Sequence, residues 1–421
     1  MSPNVNDLAT FLKALDTRVS SSHIDLSLAR MQHAAKALSL IPFPIPVITV
    51  AGTNGKGSVV CALESIYTAA GYQVGSYTSP HLLYFNERLK LNAKPVTDAH
   101  LLAALEATNA CATAHQLTYF ETITLAALWF FKQQPLDLLI LEVGLGGRLD
   151  AVNIIDPNLC IITTIDLDHT ERLGATREAI AAEKAGIFRV GVPIVCGDKH
   201  PPEVLRAQAA QLHAPFYGLN QSFHYHETQA TWAWQAGQTR LEHLPRNGLL
   251  LENMSVALAA VMQLQSRFPV SDVAIKQGLQ AAHLPGRQQI IVHHCKQLFD
   301  VAHNPAGLKV LAERIKQEKS TGRVLLVFSM LADKDLLKSC AMLHNEIDAW
   351  FIAPLENERA ASLAQLQAAV QKTARHDALV YGFNDLARAY QAALHQAQAN
   401  DLLVVAGSFY TVAQLLPRDC K

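Results

Sequence analysis

The stretch Val47–Gly71, VITVAGTNGKGSVVCALESIYTAAG, constrains the fold of this chain more than any other. An apolar run, PVITVA (46–51), breaks into Gly52-Thr53-Asn54-Gly55-Lys56-Gly57-Ser58, and a helical pattern then continues to Ala70. Strand, glycine turn and helix in that order let backbone wrap closely around a phosphate. Exposed N–H groups and the helix N-terminus supply positive potential there. Lys56 reaches β/γ-phosphates from this position, and the Ser58 hydroxyl is placed for Mg²⁺ or a phosphate oxygen. The loop is shorter than the common G-x-x-x-x-G-K-[ST] pattern, and Gly57 separates the lysine from the hydroxyl. An ordinary glycine turn is the competing reading, but it leaves the order of lysine, hydroxyl and helix unexplained.

Beyond this unit the β-α rhythm continues. GYQVGSYT, LDLLILEV (136–143), NLCIITTI (158–165) and VPIVCG (192–197) read as buried strands of a parallel sheet. Helices are expected from Thr122, as a cap, to Phe131, over Thr176–Phe188 and over Glu252–Ser266. Residues 222–244 are short and β-rich, with Gly237 between two segments, and predict a small antiparallel insert. LPGRQQ (284–289) reads as an interdomain hinge. After it, strands are expected at 289–300, 323–328, 348–353, 378–381 and 401–406. The fold class is therefore α/β: an N-terminal parallel-sheet domain with a phosphate loop and a β insert over 1–286, and a smaller Rossmann-like α/β domain over 287–421.

Composition narrows the function classes. Among 421 residues, 35 Lys and Arg oppose 36 Asp and Glu, which argues against a general nucleic-acid binder. The seven cysteines are scattered and form no C-x-x-C pair, as reduced thiols do. The N-terminus, MSPNVNDLATFLKALD, lacks the pattern of a signal peptide, and no apolar run is long enough to span a membrane. A cytoplasmic protein with no membrane or nucleic-acid partner is expected, and near-neutral charge is compatible with a monomer or a weak dimer.

Several candidate residues follow predicted strands, where ligands bind in open parallel sheets. Glu142 ends LDLLILEV and suits a magnesium ligand; its alternative is an ion pair with Arg148. His169, in Asp166-Leu167-Asp168-His169, is an unusual ligand for magnesium and by itself reads as structural. Ser79, in Thr78-Ser79-Pro80-His81, reads as a polar turn. Lys184 reads from composition as a solvated helical lysine. Asp300 and His303 follow a strand of the second domain.

Together these segments resemble the Mur ligase superfamily, and within it the dihydrofolate synthase/folylpolyglutamate synthase family. The resemblance rests on Gly52–Ser58, TSPHL (78–82), ERLKLN (87–92), EVGLGGRLDAVN (142–153), DLDHTERLGAT (166–176), AAEKAGIF (181–188), ENMSVA (252–257), LPGR (284–287) and DVAHNP (300–305). These occur in family order from Val47 to Ser408. Val152, where the family often has threonine, and Thr170-Glu171 depart from its pattern.

The resemblance implies an ATP-dependent ligase that joins L-glutamate to 7,8-dihydropteroate and to reduced folates, with folylpolyglutamate synthesis alone as the alternative. It implies ATP contacts from Thr53, Asn54, Gly55, Lys56, Gly57, Ser58, Asn253, Arg287, Asp300 and His303, with the nucleotide between the domains. Magnesium, two ions in all, falls to Ser79, Glu142, His169 and to Lys184 as a CO₂-derived carbamate, which overturns the bland reading of that lysine. Lys56, Glu142, His169 and Lys184 carry the catalysis. Dihydropteroate falls to Thr118, Tyr119, Phe120, Glu121, Leu149, Asp150 and Ala151. Phe120 suits stacking on a flat heterocycle and Asp150 an amidine-like edge; core packing is the alternative for Phe120. The implied route runs through an acyl phosphate that the glutamate amine attacks; a monomer is expected. A cell-wall Mur ligase is disfavoured by TSPHL and EVGLGGRLDAVN. A plain ATPase leaves the second domain unexplained, and a nucleotide-binding module without activity predicts no turnover.

Overall fold

The computed structural model describes residues 7–18, 27–228 and 230–417, so Cys420 and parts of the N-terminal segment lie outside the described residues. The chain divides into two compact units: one holds the chain up to Asp166 together with Thr170–His283, and the other holds Leu167–His169 with Leu284 onward.

The first unit is built on strands β1 (Val47–Ala51), β2 (Val74–Tyr77), β3 (Leu89–Leu91), β4 (Lys94–Pro95), β5 (Leu138–Glu142), β6 (Leu159–Ile162), β7 (Ile194–Cys196) and β8 (Phe216–Gly218). They form one sheet in the order β4-β3-β2-β5-β1-β6-β7-β8. From β2 to β8 the pairs are parallel, and β3 and β4 add an antiparallel edge. The central strands are apolar and fully buried because helices cover both faces of a parallel sheet. Strand order turns around at β1: the chain runs to β2 on one side, returns through β5, and continues through β6 on the other. Such a reversal opens a crevice at the carboxyl ends of the strands.

The expected insert is present as β9 (His224–Glu227), β10 (Trp232–Ala236) and β11 (Thr239–Leu244), a three-stranded antiparallel sheet. Gly237 turns between β10 and β11 with φ +54°. Trp232 and Trp234 are fully buried, and their indole N–H groups donate to Pro245 O and Ser255 O, which gives this small sheet a core.

The second unit carries β12 (Gln289–Val292), β13 (Lys296–Phe299), β14 (Val324–Phe328), β15 (Ala349–Ile352), β16 (Leu379–Gly382) and β17 (Leu402–Ala406), ordered β12-β13-β17-β14-β15-β16. All pairs are parallel except β12–β13. The single strand expected at 289–300 is thus a hairpin. His293 N donates to Cys295 O and reverses the chain, and two adjacent histidines in the turn interrupt the apolar alternation. Among the described residues no helix is long and apolar enough to cross a membrane, and the six described cysteines are free.

Candidate functional site

The phosphate loop leaves β1 at the crevice. It is braced from the strand beside it: Thr53 N donates to Thr164 O (2.7 Å), Asn54 N to Thr164 Oγ1 (3.2 Å), and Thr163 Oγ1 to Asn54 O (2.6 Å). Thr53 Oγ1 donates to Asp166 O (3.1 Å) and accepts from Asp166 N (3.0 Å). The helix Lys56–Ala69 then starts at Gly55 without a side-chain cap, so its N-terminus faces the loop as a bare dipole end. Lys56 Nζ folds back onto Gly52 O (3.0 Å) and Thr53 O (3.2 Å), holding its ammonium over the loop. Gly55 has φ +88°, and a Cβ there would run into the side-chain amide of Asn253. Asn253, on the helix Leu251–Gln263, therefore lies against the loop, as Ser58 does from the first turn of its own helix.

Glu142 ends the neighbouring strand, registered opposite Val50. It is 5% exposed, and its Oε2 accepts from Ser79 N (3.2 Å). Ser79 follows β2, which pairs with β5 so that Tyr77 sits opposite Leu141. Register thus brings Ser79 and Glu142 together beside the loop. Arg148 instead pairs with Glu183 (2.7 Å), which removes the alternative partner for Glu142. A buried carboxylate and a hydroxyl beside a phosphate loop are hard oxygen donors and fit magnesium. Among the described residues, no three His, Cys, Asp or Glu side chains converge as a metal site.

His169 lies in the three-residue segment that groups with the second unit, at φ +50°, a left-handed conformation unusual outside glycine. Its neighbour Asp168 is held by Lys334 Nζ (2.6 Å) and Asn304 Nδ2 (3.0 Å), with His303 Nε2 at 3.7 Å. Burial alone would raise the Asp168 carboxyl. The His303 and Lys334 contacts outweigh it and leave the group well below the usual carboxylate range. Sequence reasoning missed Asp168, Asn304 and Lys334 as a group. The DLDH run is visible, but Lys334 stands 166 residues away.

Lys184 is 4% exposed, and its Nζ donates to Gly52 O (2.9 Å). This corrects the compositional expectation of a solvated lysine. The helix Arg177–Ala185, capped by Thr176, turns the lysine inward onto the phosphate loop.

Thr118 and Glu121 form a capping box for the helix Tyr119–Lys132: Thr118 Oγ1 accepts from Glu121 N (3.3 Å), and Glu121 Oε2 accepts from Thr118 N (2.8 Å). The cap is therefore Thr118 rather than the expected Thr122, which is buried inside the helix. Glu121 also pairs with Arg30 (3.2 Å). Tyr119 and Phe120 are half-buried against the core; the Phe120 ring lies 6.2 Å from that of Tyr77 and directly over Gly144. Asp150 is 5% exposed and accepts from Leu145 N (2.9 Å) and Val152 N (3.0 Å). Burial pushes its carboxyl up to about 6, against the pull of those backbone N–H groups. Leu149 and Ala151 flank it, half-buried and buried.

In the second unit, Asp300 follows β13. Its oxygens accept from Gln288 N (3.0 Å) and Ala302 N (2.7 Å). Burial raises its carboxyl while the Arg287 charge draws it back. His303 Nδ1 contacts Val301 O (3.0 Å), so that nitrogen carries the proton.

The chain is similar to known proteins along nearly its whole length. The Mur ligase middle domain matches residues 50–240, and the Mur ligase glutamate ligase domain matches residues 286–409. The dihydrofolate synthase/folylpolyglutamate synthase of Escherichia coli K12 is 41% identical over 410 residues, covering 97% of this chain and 94% of that protein. The solved structure of E. coli FolC in complex with DHPP and ADP superposes with a TM-score of 0.92 at 41% identity, over 98% of this chain and 97% of that one. A bifunctional folylpolyglutamate synthase/dihydrofolate synthase solved with Mn, AMPPNP and L-glutamate gives a TM-score of 0.90 at 42% identity, over 98% of each chain. Loop, strand-end carboxylate and both domains thus lead to one conclusion: this chain belongs to the dihydrofolate synthase/folylpolyglutamate synthase family of the Mur ligases.

Proposed function

We propose that the protein joins L-glutamate to the carboxylate of 7,8-dihydropteroate and, in later rounds, to reduced folates, at the expense of ATP. The observation that carries this reading is the phosphate loop with Lys56 folded over it and the Ser79–Glu142 pair on the adjacent strands. The relatives named above, one solved with an ATP analogue and L-glutamate and one with DHPP and ADP, support the same substrates.

A carboxylate is a poor electrophile, so its oxygen first attacks the γ-phosphorus of ATP. The bond to the bridging oxygen breaks, giving ADP and an acyl phosphate. The glutamate amine then attacks the acyl carbon, loses a proton, and expels inorganic phosphate to leave the amide. In this reading Thr53, Asn54, Gly55, Lys56, Gly57, Ser58 and Asn253 hold the phosphates, and Lys56 neutralises charge on the transferring group. Arg287, Asp300 and His303 are the nucleotide contacts of the second domain, with the domains divided at 286/287. Ser79, Glu142, His169 and carbamylated Lys184 would hold two magnesium ions, which when bound neutralise phosphate charge. Thr118, Tyr119, Phe120, Glu121, Leu149, Asp150 and Ala151 would line the pterin site. The enzyme is taken to act as a cytoplasmic monomer.

The test is ADP release with ATP, Mg²⁺ and L-glutamate, comparing dihydropteroate, a reduced folate and no acceptor. Release with both acceptors is the expected result. Release with the reduced folate alone removes the dihydropteroate step, and equal release without either acceptor contradicts the ligase reading.

A further inference from the structure

Nothing in the motifs singles out Phe409, yet its ring touches two of the proposed nucleotide contacts. The Arg287 guanidinium carbon lies 4.6 Å from the centre of the Phe409 ring, within cation–π range. The His303 ring centroid is 5.8 Å away, inclined at 57°. Arg287 and His303 both act on the buried carboxyl of Asp300, so the four side chains form one cluster within the second unit.

The fold explains why Phe409 is there. β13 and β17 are parallel neighbours with Phe299 opposite Val405, so the residues after each strand emerge side by side. Asp300 N donates to Val405 O (3.0 Å), and Gly407 N donates to Ala302 O (3.1 Å). Gly407 has φ +112°, and a Cβ there would collide with Ser329 O, so only glycine fits the turn out of β17. Ser408 then caps the short helix Phe409–Leu415 by accepting from Thr411 N (3.0 Å), while Thr411 Oγ1 donates to Ser329 O (3.0 Å). This fixed turn presents a half-buried aromatic ring at the carboxyl end of the sheet, where ligands bind.

We infer that Phe409 is a positioning residue for ATP: its ring holds the Arg287 guanidinium in the orientation that meets the nucleotide. A long flexible arginine loses rotamer freedom on binding, and stacking on a fixed ring removes part of that cost beforehand. The inference rests on the proposed nucleotide role of Arg287.

The experiment is a mutant cycle with Phe409→Leu, Phe409→Trp, Arg287→Ala and Phe409→Leu/Arg287→Ala. It reads ADP binding by calorimetry, KM for ATP and kcat, with a thermal melt of each variant to confirm folding. Phe409→Leu is expected to weaken ADP binding and raise KM for ATP by about 3- to 10-fold, with kcat at saturating ATP changed far less. Phe409→Trp keeps a π face and stays near wild type. Phe409→Leu adds nothing once Arg287 is alanine. If Arg287→Ala impairs nucleotide binding while Phe409→Leu does not, or if the two effects multiply, the inference is overturned and the nucleotide role of Arg287 stands. If Arg287→Ala leaves nucleotide binding unchanged, that role fails and the inference fails with it.

Discussion

Lys184 shows how burial changes what a residue can do. A lysine on an amphipathic helix is ordinarily solvated, but here the ammonium is enclosed and donates to Gly52 O of the phosphate loop. A charge so enclosed needs a use, either as a donor to the loop or, after reaction with CO₂, as an anion for a metal. The two uses predict different mutants. If the carbamate acts, Lys184→Ala loses about 10–100-fold in activity and recovers part of it with formate or acetate, whereas Lys184→Arg stays inactive. Activity retained by Lys184→Arg, with no rescue of Lys184→Ala, contradicts the carbamate. Asp150 is the reverse case, a carboxylate whose folding environment favours the neutral form. Its raised folded-state value means that its contribution to stability is complete below the ordinary carboxylate range and declines as pH rises toward about 6.

At the scale of elements, the strand–loop–helix at Val47–Ala69 is the proposed phosphate site, and Gly55 has no room for a side chain. A Cβ there faces both a positive φ and the Asn253 side chain. Gly55→Ala therefore costs about 1–2 kcal/mol from backbone strain alone, and more as Asn253 is displaced. It is expected to lower the thermal midpoint and weaken ADP binding together; unchanged ADP binding would show that the loop tolerates the shift. This element was legible in the sequence because each of its signals is local: apolar run, glycines, lysine, hydroxyl, amphipathic helix. The parallel strands were legible for the same reason. The β12–β13 hairpin was not, because a histidine turn inside an apolar run has no strong turn signature. The expected cap, Thr122, falls four residues past the true cap, Thr118, because both threonines stand at the start of the same apolar pattern. Asp168 with Lys334, and Phe409 with Arg287, were hidden because each contact joins residues far apart in the chain, and only the topology makes them neighbours.

At the scale of the whole molecule, two α/β units each bring candidate residues to the carboxyl ends of their strands. Loop, Ser79, Glu142 and Lys184 belong to the first; Arg287, Asp300, His303 and Phe409 to the second. The segment Leu167–His169 is covalently part of a crossover in the first unit but groups with the second, where Lys334 and Asn304 hold Asp168. One activity that needs both phosphate handling and an amino-acid acceptor accounts for this division better than simple ATP hydrolysis. On the proposed route the acceptor carboxylate is activated by phosphoryl transfer before the amine arrives. The most direct measurement uses dihydropteroate labelled with oxygen-18 in its carboxylate, together with ATP, Mg²⁺ and L-glutamate. Transfer through an acyl phosphate predicts one labelled oxygen in the inorganic phosphate for each amide formed. Amide formation with unlabelled phosphate, or phosphate release without amide, would rule out activation of the carboxylate by phosphoryl transfer.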